Sequence, residues 1–240
     1  MNWWHHSRLR RGIVRFLFLG LALILILTPY PVSATGQEGS RPIVYQGQGD
    51  EPRIALTFDD GPHPEYTAQI LDILAEFDIR ATFFVIGENV DLYPEMLQRT
   101  VAEGHEIGNH TQTHPLKNLS SEQIEREMSE CESTIGEWID CRPRLFRPPG
   151  GIISEPVIAL AENHLYRVIL WSIDTRDWAH TPVERITRTV LDSVGAGDII
   201  LMHDGIKSNS PTPQALRIMI PILLERGYRF VTVSELLDEG

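Results

Sequence analysis

Asp59 and Asp60 are adjacent carboxylates that close an apolar run, Ile54-Ala55-Leu56-Thr57-Phe58, just ahead of Gly61-Pro62. That pattern reads as a buried strand delivering two acids to the mouth of a site. Such a pair can divide its labour, one acid binding a metal and the other handling a proton. Some fifty residues on, His110-Thr111-Gln112-Thr113-His114 places two imidazoles four positions apart. One aspartate and two histidines suit a catalytic zinc or similar cation that keeps a position open for water. Asp60, His110 and His114 are the predicted ligands. The i, i+4 spacing predicts that both imidazoles project from one side of a helical turn. Asp59 is the predicted general base.

Further along, Leu201-Met202-His203-Asp204 ends another apolar run, and His203 is the predicted general acid, since an imidazole is matched to proton donation near neutral pH. Arg147 is followed by Pro148, Pro149, Gly150 and Gly151; it is expected to pair with Asp59 or with Asp177 and fix that acid's orientation. A backbone N–H at Gly150 or Gly151 is placed to receive an oxyanion. Asp177 is expected to orient His203 or Arg147. Trp178 beside it offers one wall of a groove, a common way to hold a sugar ring.

These groups need a scaffold that brings them together. Strand-like runs fall at Arg53–Phe58, Ala81–Ile86, Glu106–Gly108, Leu145–Arg147, Val168–Ile173, Asp198–Met202 and Arg229–Val233. Helical periodicity falls at Pro64–Phe77, Asp91–Glu103, Ser120–Trp138, Glu155–Glu162, Pro182–Ser193 and Thr212–Arg226. Ser120-Ser121-Glu122-Gln123 has the form of a capping box. Alternating strands and helices imply a parallel sheet covered by helices. No Gly-x-Gly-x-x-Gly follows the first strand, which removes the dinucleotide-binding version. The polar clusters lie at the C-terminal ends of five strands. That convergence favours an α/β barrel over an open sheet.

The 240 residues carry a net charge of −12. Residues 1–34 differ from the rest: Arg8, Arg10, Arg11 and Arg15 lead into an apolar stretch from Phe16 to Leu27, and Val32-Ser33-Ala34 resembles a cleavage site. This is expected to be a secretory signal peptide or an uncleaved membrane anchor. Residues 35–51 read as a linker and 52–240 as one domain. Without its leader the chain has 17 basic against 33 acidic residues, or −16. Such a surface argues against nucleic acid and anionic lipid, and favours a neutral polymer or one that gains positive charge on reaction. Cys131 and Cys141 are the only cysteines. In an exported chain they are expected to form a disulfide closing a short loop before Arg147.

Taken together, Thr57-Phe58-Asp59-Asp60-Gly61-Pro62, His110-Thr111-Gln112-Thr113-His114, Arg147-Pro148-Pro149, Asp174-x-x-Asp177-Trp178 and Leu201-x-His203 resemble, in order, the motifs of the carbohydrate esterase family 4 polysaccharide deacetylases, which carry the NodB homology domain. The resemblance covers roughly residues 52–238. It implies a distorted (β/α)7–8 barrel and metal-dependent hydrolysis of N-acetyl groups on amino-sugar polymers. It also implies a divalent cation, Zn2+ first, with Co2+ or another divalent ion as alternatives. The family roles fall on Asp59 as base, Asp60, His110 and His114 as ligands, and His203 as acid. Arg147 positions the base, and Leu201 and Trp178 line the acetyl pocket. Many members have Tyr after the two prolines, where this chain has Gly150. The export signal makes cell-wall peptidoglycan the expected substrate and the cell envelope or exterior the expected location. A chitooligosaccharide deacetylase, an O-acetyl xylan esterase and a non-catalytic glycan-binding protein are the alternatives.

Overall fold

The computed structural model describes residues 43–117, 119–206 and 208–237. The predicted leader and most of the linker lie outside the described residues. Nine strands form one parallel sheet among them. They are β1 (Ile43–Val44), β2 (Arg53–Asp59), β3 (Thr82–Val85), β4 (Glu106–Asn109), β5 (Leu145–Phe146), β6 (Arg167–Ile169), β7 (Ile173–Asp174), β8 (Ile199–His203) and β9 (Arg229–Phe230). The order is β1-β6-β5-β4-β3-β2-β8-β7, with β9 beside the start of β2. The helices are α1 (Tyr66–Glu76), α2 (Gly87–Leu92), α3 (Pro94–Ala102), α4 (Ser121–Trp138), α5 (Glu155–Asn163), α6 (Val183–Ser193), α7 (Thr212–Glu225) and α8 (Val233–Leu237).

Chain reach shows that the sheet curls into a barrel. β6 and β7 stand six pairings apart along the sheet, about 29 Å if it were flat. Only Leu170, Trp171 and Ser172 join them, which can span at most about 14 Å from Ile169 to Ile173. The two edges must therefore approach. Ser172 Oγ donates to Asp198 Oδ1 at 2.7 Å, and Gln46, just past β1, bridges to Asp198 at the foot of β8. This connection is also why the predicted strand Val168–Ile173 divides in two: its first half pairs with β5 and its second with β8.

Every residue of β2 is buried, so both faces of this central strand are covered. Outside it, Ile70, Leu71 and Leu74 of α1 pack with Leu216, Met219 and Leu223 of α7 in the main core. Four departures from the sequence reading have local causes. The predicted helix Asp91–Glu103 is two helices, because Pro94 drives Tyr93 out of the helical region, to φ −137° and ψ 54°. Linker residues Ile43–Val44 are a strand on β6. The predicted last strand stops at Phe230, because Thr232 and Glu235 cap each other's backbone N–H and start α8. The predicted disulfide is absent: both cysteines are free, Cys131 buried and Cys141 exposed. α4 runs unbroken through Cys131, whose thiol faces the core against the Val85 carbonyl, while Cys141 lies beyond the helix end. Burial pushes the Cys131 thiol up to about 12, which leaves it inert.

Candidate active site

The register of the sheet assembles the site. Asp59 ends β2 opposite His203 of β8 on one side and Phe84 of β3 on the other. The chain then turns at Asp60, which takes a left-handed conformation at φ 74°. The loop after β4 carries the two histidines. The expected helical turn does not form there; Thr111 and His114 are left-handed instead, at φ 72° and 55°. A β-branched residue at positive φ needs support from its surroundings. Fully buried Asn109 supplies part of it, its Oδ1 accepting the Thr111 N–H at 2.8 Å.

The start of α2 ties the two turns to each other. Ile86 N–H donates to Gly61 O at 2.9 Å, and Asn89 Nδ2 donates to Asp60 O at 2.7 Å. Gly87 N–H donates to Thr111 O at 3.1 Å and Glu88 N–H to Gln112 O at 3.0 Å. A Cβ at Gly87 would meet the amide end of Gln112, which would have to turn aside.

Asp60 Oδ1 lies 3.4 Å from His110 Nε2 and 3.2 Å from His114 Nε2. Two ligands each about 2.1 Å from one tetrahedral ion sit about 3.4 Å apart, so these donors have the spacing a divalent cation requires. Two further observations support the fit. Asp60 Oδ1 is buried and accepts no hydrogen bond. His110 Nδ1–H donates to the Arg147 carbonyl at 2.6 Å, which leaves the Nε2 lone pair facing Asp60. Burial lowers the His114 pKa and favours the neutral imidazole that can ligate. Burial alone would raise the Asp60 pKa, but His110, His114 and His203 outweigh it and bring it to about 2.

Asp59 is held by Arg147. The guanidinium is wholly buried, and its Nη1 donates to Asp59 Oδ1 at 2.7 Å and Thr57 Oγ1 at 2.9 Å. Nε and Nη2 donate to the carbonyls of Ile169 and Leu170, and the group stacks on Phe84 at 4.0 Å. Arg147 therefore pairs with Asp59 rather than Asp177. Asp59 Oδ2 remains directed at the centre, 3.7 Å from His110 Nε2.

Asp177 orients His203. Its carboxylate accepts from His203 Nδ1 at 2.7 Å, His203 N–H at 2.8 Å, Thr212 Oγ1 at 2.5 Å and Trp178 N–H at 3.0 Å. Burial alone would lower the His203 pKa. The hydrogen bond and charge of Asp177, with the charges of Asp59 and Asp60, outweigh it and raise it to about 9. Leu201 shares the His203 face of β8 and is buried, whereas the Trp178 ring is 51% exposed. Gly150 sits in a short 3-10 turn at φ 61°.

Three contributors escape a motif reading. Asn89 acts on a backbone carbonyl, which leaves no pattern of paired side chains in the sequence. Thr212 reaches Asp177 from a distant helix. Asp204 is buried behind Gly61 and Asp60, with Oδ2 accepting from Thr67 Oγ1 at 2.5 Å, and burial pushes it up to about 7.

Residues 46–169 match the family model described as polysaccharide deacetylase. A peptidoglycan-N-acetylglucosamine deacetylase of Bacillus cereus is 44% identical over 198 residues, 81% of this chain and 92% of that protein. The solved structure of the Bc1960 peptidoglycan N-acetylglucosamine deacetylase, in complex with a hydroxamate (an N-hydroxybenzamide), superposes with a TM-score of 0.78 at 33% identity, covering 83% of this chain and 94% of that one. A family 4 acetyl xylan esterase from Clostridium thermocellum, solved with a cobalt ion, superposes with a TM-score of 0.71 at 38% identity, covering 77% and 89%.

Proposed function

The chain belongs to the polysaccharide deacetylase family, and from that premise we propose that it hydrolyses the N-acetyl groups of N-acetylglucosamine residues in peptidoglycan, with Zn2+ held by Asp60, His110 and His114. The observation that carries this reading is a pair of oriented acid–base groups beside one three-donor cluster. Asp59, fixed by Arg147, and His203, fixed by Asp177, are register partners on β2 and β8, and Asp59 Oδ2 lies 3.7 Å from the ligand atom His110 Nε2. A cation bound there supplies Lewis-acid polarisation of the amide carbonyl and of a water.

The chain's own groups carry the protons. Asp59 Oδ2 takes one from the attacking water as the new C–O bond forms. The Gly150 N–H is the backbone donor offered to the carbonyl oxygen as it gains charge. His203, which Asp177 holds above the ordinary imidazole pKa, delivers a proton from Nε2 to the leaving nitrogen as the C–N bond breaks. The products are acetate and a free amine. Asp177 keeps Nδ1 engaged, so Nε2 faces the substrate. Leu201 and Trp178 form the acetyl pocket and one groove wall. Residues 1–34 direct export to the cell envelope, where the polymer lies.

Acetate release by the purified protein from peptidoglycan, chitin oligomers and acetylated xylan tests this. Release from peptidoglycan above the other two is expected. Release from chitin oligomers alone would change the substrate, and release from xylan alone would change the bond from amide to ester.

A further inference from the structure

A cavity of about 290 Å³ opens beside the centre, and none of the groups assigned to the hydrolysis uses it. Thr111, the residue after the ligand His110, and Pro148, the residue after Arg147, line it, so it shares an edge with the reaction site. Ile124 of α4, Phe146 of β5 and Val157 of α5 give it an apolar floor. The lining residue Ile152 is 36% exposed, and Leu116, between the lining residues Pro115 and Lys117, is 66% exposed. Gly150 faces the gap between them: a Cβ there would lie 3.1 Å from Leu116 Cδ2 and 3.9 Å from Ile152 Cγ1. Lys117 also lines the cavity and has no ion-pair partner among the described residues. The other charged wall residue, Glu127, is already engaged by Thr113 N–H and Oγ1 at 2.8 and 2.7 Å.

An apolar floor with a free cation on the wall suits a group that carries methyls and ends in a carboxylate. A plain acetylated amino sugar has one methyl to offer. A dry cavity of about 150 Å³ is enough for a benzene ring, so a single acetyl group would leave most of this one empty. We propose that the cavity is an accessory substrate subsite for the arm on the sugar next to the one being deacetylated: a lactyl ether extended by an alanyl amide, with its carboxylate on Lys117. This rests on the peptidoglycan reading and deepens it, because unsubstituted chitin has no such arm.

The test uses the full chain, loaded with Zn2+, on two oligosaccharides of equal length. One is a chitin oligomer; the other bears lactyl-alanine on alternate sugars. Burial of two methyl groups corresponds to roughly a tenfold preference in kcat/KM for the arm-bearing oligomer, expressed in KM. Val157→Phe fills the floor and is expected to bring the ratio close to one. Ile152→Trp, at the solvent-exposed lip, is expected to do the same if Val157→Phe does not fold. Lys117→Ala is expected to lower the ratio by a smaller factor. A wild-type ratio of one, or a ratio unchanged in a folded filling variant, overturns the proposal. Absence of acetate from both oligomers would count against the deacetylase reading instead. Calorimetric binding of the arm-bearing oligomer to Asp59→Asn protein then decides the subsite separately: about tenfold weaker binding when Val157→Phe is added supports it, and equal binding overturns it.

Discussion

Asp177→Asn should separate the role of the His203 proton from the rest of the site. Asp177 accepts four hydrogen bonds, two of them from His203, and is the principal group that raises the imidazole to about 9. The rise from 6.5 to about 9 corresponds to about 3 kcal/mol, at roughly 1.36 kcal/mol per pH unit. Because the folded pKa lies above the ordinary one, this stabilisation is complete below about pH 6.5 and is lost as pH rises through about 9. The same shift keeps the acid form available for catalysis up to that limit. An amide at 177 removes the charge and turns an N–H toward groups that are themselves donors, a mismatch that costs about 1–3 kcal/mol. The alkaline limb of kcat against pH should therefore move from about 9 toward about 6.5, and kcat at neutral pH should fall by about 10²–10⁴. Stability measured by denaturant at pH 6, 8 and 10 should lose its alkaline decline. Asp60 also raises His203, so the stability series is run on zinc-loaded and on stripped protein. An Asp177→Asn variant that folds, with its alkaline limb where the wild type has it, would refute this account of His203.

Asp59→Asn retains an acceptor for Arg147 but cannot take a proton; acetate release should fall at least about 10²-fold while zinc affinity by chelator competition changes little. Asn89→Ala removes the hydrogen bond on the Asp60 carbonyl and should weaken zinc binding about 10–100-fold, at a melting cost of about 1 kcal/mol; Asn89→Ser should recover part of the affinity. Alkylation of native protein should label Cys141 only, with Cys131 reacting after unfolding, and a reductant should leave the melting temperature unchanged.

The parts of the site legible in the sequence are those where chemistry sits at a strand end. Asp59, Asp60, His110, Arg147 and His203 each follow a buried run, and a parallel barrel gathers such ends on one face. Less legible was the backbone that aims them. Spacing alone suggested a helical turn for His110 and His114. The loop is instead held locally by Asn109, two residues from Thr111, and by the first turn of α2, some 24 residues away in sequence. Barrel closure depends on three residues between β6 and β7, and two-residue strands such as β1 and β9 are too short to show a period. The cysteine spacing suited a bridge until the length of α4 fixed one thiol inside and left the other outside. Pro94 and the Thr232–Glu235 cap were readable signals, each sufficient to place a boundary correctly.

The central claim is that Asp60, His110 and His114 hold one cation on which amide hydrolysis depends. It is tested most directly by titrating chelator-stripped protein with Zn2+ while following acetate release from peptidoglycan. The account predicts no release at the start, a rise that saturates at about one zinc per chain, and a rise displaced to much higher zinc in His114→Ala. Release from stripped protein at the wild-type rate, or a titration that His114→Ala leaves unchanged, would contradict it.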